Sequence, residues 1–125
     1  MQEIKYAKAL TTLKYYETHL SLLNCILPVK MTPMEIKVIA SFMSLTGEVA
    51  KYRFGPTAKK IVMNTIDPEK PLSAAGLSNY MVSLKKKKFL IEEGDMISIY
   101  PLLIPEEDEQ QYRFRLINNK IINNE

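Results

Sequence analysis

Residues 72–90 read Leu-Ser-Ala-Ala-Gly-Leu-Ser-Asn-Tyr-Met-Val-Ser-Leu-Lys-Lys-Lys-Lys-Phe-Leu. Ser73 carries a hydroxyl that can accept from an orphaned amide of a first helical turn, so it marks a helix start. Leu77, Met81 and Leu84 follow at steps of four and three, with Tyr80 flanking, which predicts one buried stripe on a helix over residues 74–87. The exposed side then carries Ser73, Ala74, Ala75, Ser78 and Asn79, with Val82 and Ser83 further along. After Lys88 the period changes. Phe89-Leu90-Ile91 is a short apolar run, Glu92-Glu93-Gly94-Asp95 a turn, and Met96, Ile97, Ile99 and Tyr100 resume in extended fashion. A capped helix feeding directly into a hairpin is the organising feature of the chain.

Working upstream, Asp67-Pro68-Glu69-Lys70-Pro71 places two prolines within four residues, which predicts a loop. Pro56 opens a helix through Ile66, with Ala58, Ile61, Val62 and Ile66 facing inward and the adjacent Lys59 and Lys60 outward. Residues 48–55 read as a connection, basic at Lys51 and Arg53. Before it, Thr32-Pro33-Met34-Glu35 forms a capping box with proline at the first helical position. Met34, Val38, Phe42 and Leu45 then make a stripe beside Ile39 and Met43, and Gly47 is the expected left-handed stop. Over residues 2–27, Tyr6, Leu10, Leu13, Tyr16, Leu20, Leu23 and Leu27 recur at helical spacing until Pro28 ends the pattern. A stripe of that length either packs across the core or meets its copy in a second subunit through Tyr6, Leu10, Leu13 and Leu20; residues 21–27 could also form a separate short segment.

Downstream, Pro101 marks an edge or bend before Leu102-Leu103-Ile104. Residues 105–111 form an acidic loop, whose residues 105–110 are expected to make a strand-to-strand tip. Tyr112, Phe114 and Leu116 alternate with Arg113, Arg115 and Ile117 as a returning strand, and residues 118–125 are an asparagine-rich tail expected to fray. The expected organisation is a packing or dimerisation helix over residues 1–29, a domain over residues 30–117 and that tail. The fold class is mainly α with a small antiparallel β hairpin.

The 125 residues carry 17 bases and 14 acids, but the charge is segregated. Residues 30–88 hold eleven lysines and arginines against four acids, while residues 89–125 hold three against eight. Such polarity attracts polyanions to one side. At 46% hydrophobic and 25% charged, the composition is that of a globular chain. No apolar run reaches the roughly 18 residues that span a bilayer, and MQEIKYAKAL lacks the pattern of a secretory signal. With Cys25 as the one cysteine, a reducing, cytoplasmic setting is expected, whether host cytoplasm or virion. Lysine outnumbers arginine 14 to 3, and isoleucine and asparagine are abundant, which points to an AT-rich genome such as that of a phage or low-GC bacterium.

Those residue counts also thin the catalytic options. His19 and Cys25 sit about 600° of helical turn apart and share no face. Four scattered glycines make no phosphate loop, and a His/Cys metal cluster lacks ligands. Glu106, Glu107, Asp108 and Glu109 read as a solvated loop tip. No catalysis, metal or cofactor is expected.

The pattern L-S-x-x-x-L-x-x-x-M-x-x-L-K-K-K-x-F-L over residues 72–90 resembles the winged helix-turn-helix superfamily, in particular MarR-like and phage regulatory or replication domains. TPMEIKVIASFM over residues 32–43 is similar to that superfamily's first domain helix, and the likeness covers residues 31–117. It implies a recognition helix capped by Ser73 and a wing after it, in which Lys88 stands where a glycine is usual. A helix of this kind fits the major groove of double-stranded DNA. Base contacts are then expected from Ser73, Ala74, Ala75, Ser78 and Asn79, with Asn79 on adenine and the alanines on thymine methyls. Phosphate contacts are expected from Lys51, Arg53, Lys59, Lys60 and Lys70. The leading expectation is a non-enzymatic DNA-binding protein in transcription or replication control, dimeric on a pseudo-palindrome. The alternative is a winged-helix protein-interaction subunit of a phage particle or polymerase-associated assembly. The acidic 105–110 tip favours the alternative.

Overall fold

The capping box forms as the sequence pattern requires. In the computed structural model, which describes residues 9–118, Thr32 Oγ1 accepts from the Glu35 amide at 3.2 Å and Glu35 Oε1 accepts from the Thr32 amide at 2.8 Å. The helix it starts, α2 (Pro33–Met43), follows α1 (Thr12–Asn24) and precedes α3 (Gly47–Lys51), α4 (Pro56–Ile66) and α5 (Ala74–Lys86). Strands β1 (Leu90–Glu93) and β2 (Met96–Ile99) follow, then a 3-10 turn over Pro101–Leu103. The chain is therefore mainly helical with one small antiparallel sheet.

Helix α2 is the axis of the fold. Eight of its eleven residues are buried, because α1, α4 and α5 all pack against it. A single amphipathic stripe underestimates such a helix. Ala40 and Ser41 are enclosed, whereas Met34 is only half-buried. Phe42 lies at the centre with its ring 4.7 Å from that of Phe54, among Leu20, Val62, Leu77, Leu84, Leu90 and Leu103.

Several boundaries differ from the sequence pattern. The first helix stops at Asn24, short of Pro28. The Asn24 side chain bonds the Met31 backbone on both sides, donating to its carbonyl at 3.0 Å and accepting from its amide at 2.8 Å. Lys30 caps the exposed carbonyls of Asn24 and Cys25. This side-chain clip closes the loop where the apolar spacing alone continues the helix. Gly47 does have positive φ, at +66°, but α2 has already ended at the right-handed Ser44. Gly47 opens α3 within the stretch expected to be a plain connection.

The hairpin is shorter than the sequence pattern suggests. Leu90 pairs with Ile99 and Glu93 with Met96, so the tip is the two-residue turn Gly94-Asp95, with Gly94 at φ +59°. Residues 105–110 are therefore not a strand-to-strand tip. Their loop lies against α1, where the Tyr15 hydroxyl donates to the Glu107 carbonyl at 2.8 Å. The expected returning strand over residues 112–117 is also not formed; residues 111–118 have no regular structure, with Phe114 60% and Leu116 100% exposed. Alternation makes a strand only where a ladder partner is within reach. Here the segment is held by a side chain instead, Tyr112 on His19.

Of the residues expected at a dimer interface, Leu20 is fully enclosed by its own chain and Leu13 packs partly onto the same core. Leu10 is half-buried, and Tyr6 lies outside the described residues, as does the tail beyond Asn118. Leu20 and Leu27 join the core shared with α2, α4 and α5, so α1 packs within the fold. Among the described residues, no helix is long and apolar enough to cross a membrane.

Candidate nucleic-acid interface

Helix α5 has two faces of different chemistry. Leu77, Met81 and Leu84 are buried, holding one side against α2, α4 and β1. On the other side Ala74, Ala75, Ser78, Asn79, Val82 and Lys86 are all exposed, a stripe running from the first turn to the last. Among the described residues, neither Ser78 nor Asn79 spends its side chain on a hydrogen bond within the protein. The helix carries no acid anywhere along its length.

The tip of the helix is fixed by Ser73, whose Oγ accepts from the Gly76 amide at 3.0 Å. Its hydroxyl hydrogen remains available to an outside acceptor. Gly76 has a steric reason for lacking a side chain. A Cβ there would meet Leu72 Cδ1 and Ser73 Oγ, both at 3.1 Å, pressing on the cap itself. The loop before the tip is also set. The Asp67 carboxylate accepts from the amides of Glu69 and Lys70, and the Leu72 amide donates to the Met63 carbonyl at 3.2 Å.

The far end of α5 closes in a Schellman turn: the Phe89 amide reaches the Leu84 carbonyl at 3.0 Å and the Lys88 amide reaches that of Lys85 at 3.1 Å. The left-handed residue such a turn requires is Lys88, at φ +67°. From this turn the chain enters β1.

The lysine run 85–88 is sorted by this geometry. Lys87 Nζ lies 2.6 Å from Oε1 of Glu35 and also donates to the Lys30 carbonyl at 2.9 Å. Lys85 pairs with Glu92 on the hairpin at 2.7 Å. Lys86 and Lys88 are exposed and, among the described residues, have no acidic partner. Ser83, expected on the outer side, turns inward and donates to Glu35 Oε2 at 2.7 Å. Burial pushes the Glu35 carboxyl up, but the bonds from Lys87, Thr32 and Ser83 outweigh it and hold the group below its ordinary value.

The expected phosphate-binding set divides in the same way. Lys60, early in α4, and Lys70, just before the α5 tip, are exposed, and Lys59 is half-buried. Arg53 is not available as a surface cation. Its Nη1 donates to the Phe42 carbonyl at 2.5 Å, a cation at the C-terminal end of α2. Lys51 pairs with Glu48 at 3.0 Å on the surface of α3. Lys86 is the cation that the sequence pattern passed over, although its spacing from Asn79 and Val82 puts it on the same stripe.

No protein-family model matches this chain. Neither a curated protein nor a solved structure matches it.

Away from α5, His19 is buried under the C-terminal segment. Its Nε2 lies 3.0 Å from the Leu103 carbonyl, which can only accept, so Nε2 carries the proton. Nδ1 then accepts from the Tyr112 hydroxyl at 2.6 Å. Burial holds this imidazole below its ordinary value, against the opposing bond to Leu103. Cys25 is exposed with its Sγ donating to the Ser21 carbonyl at 3.5 Å, while both ring nitrogens of His19 are taken by Tyr112 and Leu103. Among the described residues, no three of His, Cys, Asp and Glu are grouped to hold a metal ion.

Proposed function

We propose that the chain is a non-enzymatic DNA-binding protein of winged-helix type, acting in transcription or replication control of a phage or low-GC bacterium. One observation carries this reading. The outer side of α5 is open and acid-free from Ala74 to Lys86 and short-chained as far as Val82, while its other side anchors the core. A helix held in this way offers its backbone closely to a major groove, where small side chains favour close approach. The order α2, α4, α5 and hairpin supports the winged-helix assignment, with β1 and β2 as the wing. Lys86, Lys88, Lys60 and Lys70 supply cations for the phosphates on either side of that groove.

A second reading, a protein-interaction subunit of a phage or polymerase-associated assembly, is favoured by a different observation. Leu102, Ile104, Phe114 and Leu116 are exposed on the C-terminal segment, and the hairpin turn carries Glu92, Glu93 and Asp95. The two readings separate in one titration. Full-length protein is added to a labelled random duplex at roughly 50 and 200 mM salt, and anisotropy is followed. DNA binding predicts micromolar or tighter affinity at low salt, falling steeply as salt displaces the counterion gain. No binding at low salt overturns it in favour of the assembly reading.

A further inference from the structure

The outer stripe of α5 is chemically selective in a way that bears on which DNA it fits. Between Ala74 and Val82 its exposed residues are Ala74, Ala75, Ser78, Asn79 and Val82. Three of these five offer only carbon, and Val82, the largest of them, is 46% exposed. In the major groove, guanine presents two acceptors best met by an arginine or lysine, and cytosine presents a donor best met by a carboxylate. The stripe has neither over its first three turns. Lys86, its one cation, lies about 10 Å further along the axis than Asn79. Adenine, in contrast, presents the acceptor and donor pair that an asparagine amide matches, and thymine presents a methyl group that alanine and valine side chains can cover.

We infer that α5 reads thymine-rich DNA through the thymine C5-methyl groups, with Val82, Ala74 and Ala75 as the apolar contacts and Asn79 on a neighbouring adenine. The inference rests on the DNA-binding reading, in which Ala74, Ala75 and Asn79 already face thymine methyls and adenine, and adds what that reading leaves open: Val82 as the principal methyl contact and an A·T-rich site as the consequence. Val82 is the specificity-determining residue because it is the largest carbon surface on the stripe and is flanked by Ser78 and Asn79 one turn earlier. The phosphate contacts of Lys86 and Lys60 fix the register without choosing the base.

The test uses full-length protein in two steps. Duplexes of about 25 base pairs are first selected from a random pool. The best binder is then compared with the same duplex carrying deoxyuridine in place of every thymidine, which keeps all pairing and removes only the methyl group. The expected results are an A·T-rich selected pool and an affinity about three- to tenfold weaker for the uracil duplex, on the scale of burying one or two carbons. Val82→Ser should shrink the thymine-to-uracil ratio toward one while leaving the circular dichroism spectrum unchanged. Asn79→Ala should weaken binding and relax selection for adenine at one position. Selection of G·C-rich sites, or equal affinity for the thymine and uracil duplexes, overturns the inference and leaves DNA binding intact. An A·T-rich pool without a uracil penalty also overturns it, since groove shape and not the methyl group would then be read. Failure to bind any duplex at low salt sinks the DNA reading itself.

Discussion

The ammonium of Lys87 lies 2.6 Å from Oε1 of Glu35, joining the last turn of α5 to the first turn of α2. The same carboxylate closes the capping box through the Thr32 amide and accepts from Ser83. One nearly enclosed group thus caps the central helix and ties the end of α5 to its first turn. Lys87 cannot be exchanged for its neighbours in the lysine run, because only it reaches this site.

Lys87→Met leaves a buried carboxylate without its cation. Loss of a partner from a buried pair costs about 3–5 kcal/mol, and the partial exposure of Lys87 brings the expectation to about 2–3 kcal/mol. Urea unfolding at neutral pH measures it. A change below about 0.5 kcal/mol would show that the pair contributes nothing net. Glu35 is held below the ordinary carboxylate range, so its stabilisation is complete above about pH 4.3 and is lost as the pH falls through the folded-state value. In Lys87→Met that acid limb should shrink.

His19 titrates in the opposite chemical sense but the same pH direction. Burial holds its folded pKa below the ordinary value, so below about pH 6.5 the unfolded chain binds more protons than the native one. Stability should therefore be full above that pH and decline as the pH falls toward the folded value. His19→Gln keeps a donor for Leu103 and an acceptor for Tyr112. It should flatten the dependence of the urea midpoint on pH between about 7.5 and 5, and an unchanged slope would remove His19 from it.

Lys88 occupies a left-handed position at φ +67° where an L side chain is disfavoured by about 1 kcal/mol. Lys88→Gly should raise stability by about 0.5–1 kcal/mol despite the added freedom of the unfolded chain. Thermal unfolding checks the sign. A loss would mean that the Lys88 side chain makes contributions larger than its backbone strain.

Lys59→Glu combined with Lys60→Glu places two acids near the start of α4. On the DNA-binding reading, affinity for duplex should fall by about tenfold or more at low salt, and the salt slope should drop by about 0.9 for each phosphate no longer neutralised. Lys51→Ala, which removes a lysine already paired with Glu48, should change affinity little. Equal affinities for the parent and both variants would take α4 out of the binding face.

Much of the fold is legible from local chemistry. The Thr32–Glu35 capping box, the Ser73 cap, the stripe Leu77, Met81 and Leu84 and the Gly94 turn are each set by residues within a few positions of one another, and each forms as the pattern requires. Short-range hydrogen bonds and helical periodicity depend on little else. The exposed residues proposed for base contact follow from that same periodicity, since whatever faces away from a buried stripe is at the surface.

What periodicity cannot supply is the identity of the partner across the fold. Asn24 ends α1 by bonding Met31, Arg53 turns to the Phe42 carbonyl, Ser83 and Lys87 turn to Glu35, and Tyr112 goes to His19 and not into a strand. By itself the sequence determined where α2, α4 and α5 start, which of their sides are apolar and that a hairpin follows α5, but not the start of α1 at Thr12 or the presence of α3. Only the tertiary structure decided which cations are consumed and which stay open, because a charged or polar side chain is committed by what lies within about 3 Å of its tip, and those neighbours come from distant parts of the chain.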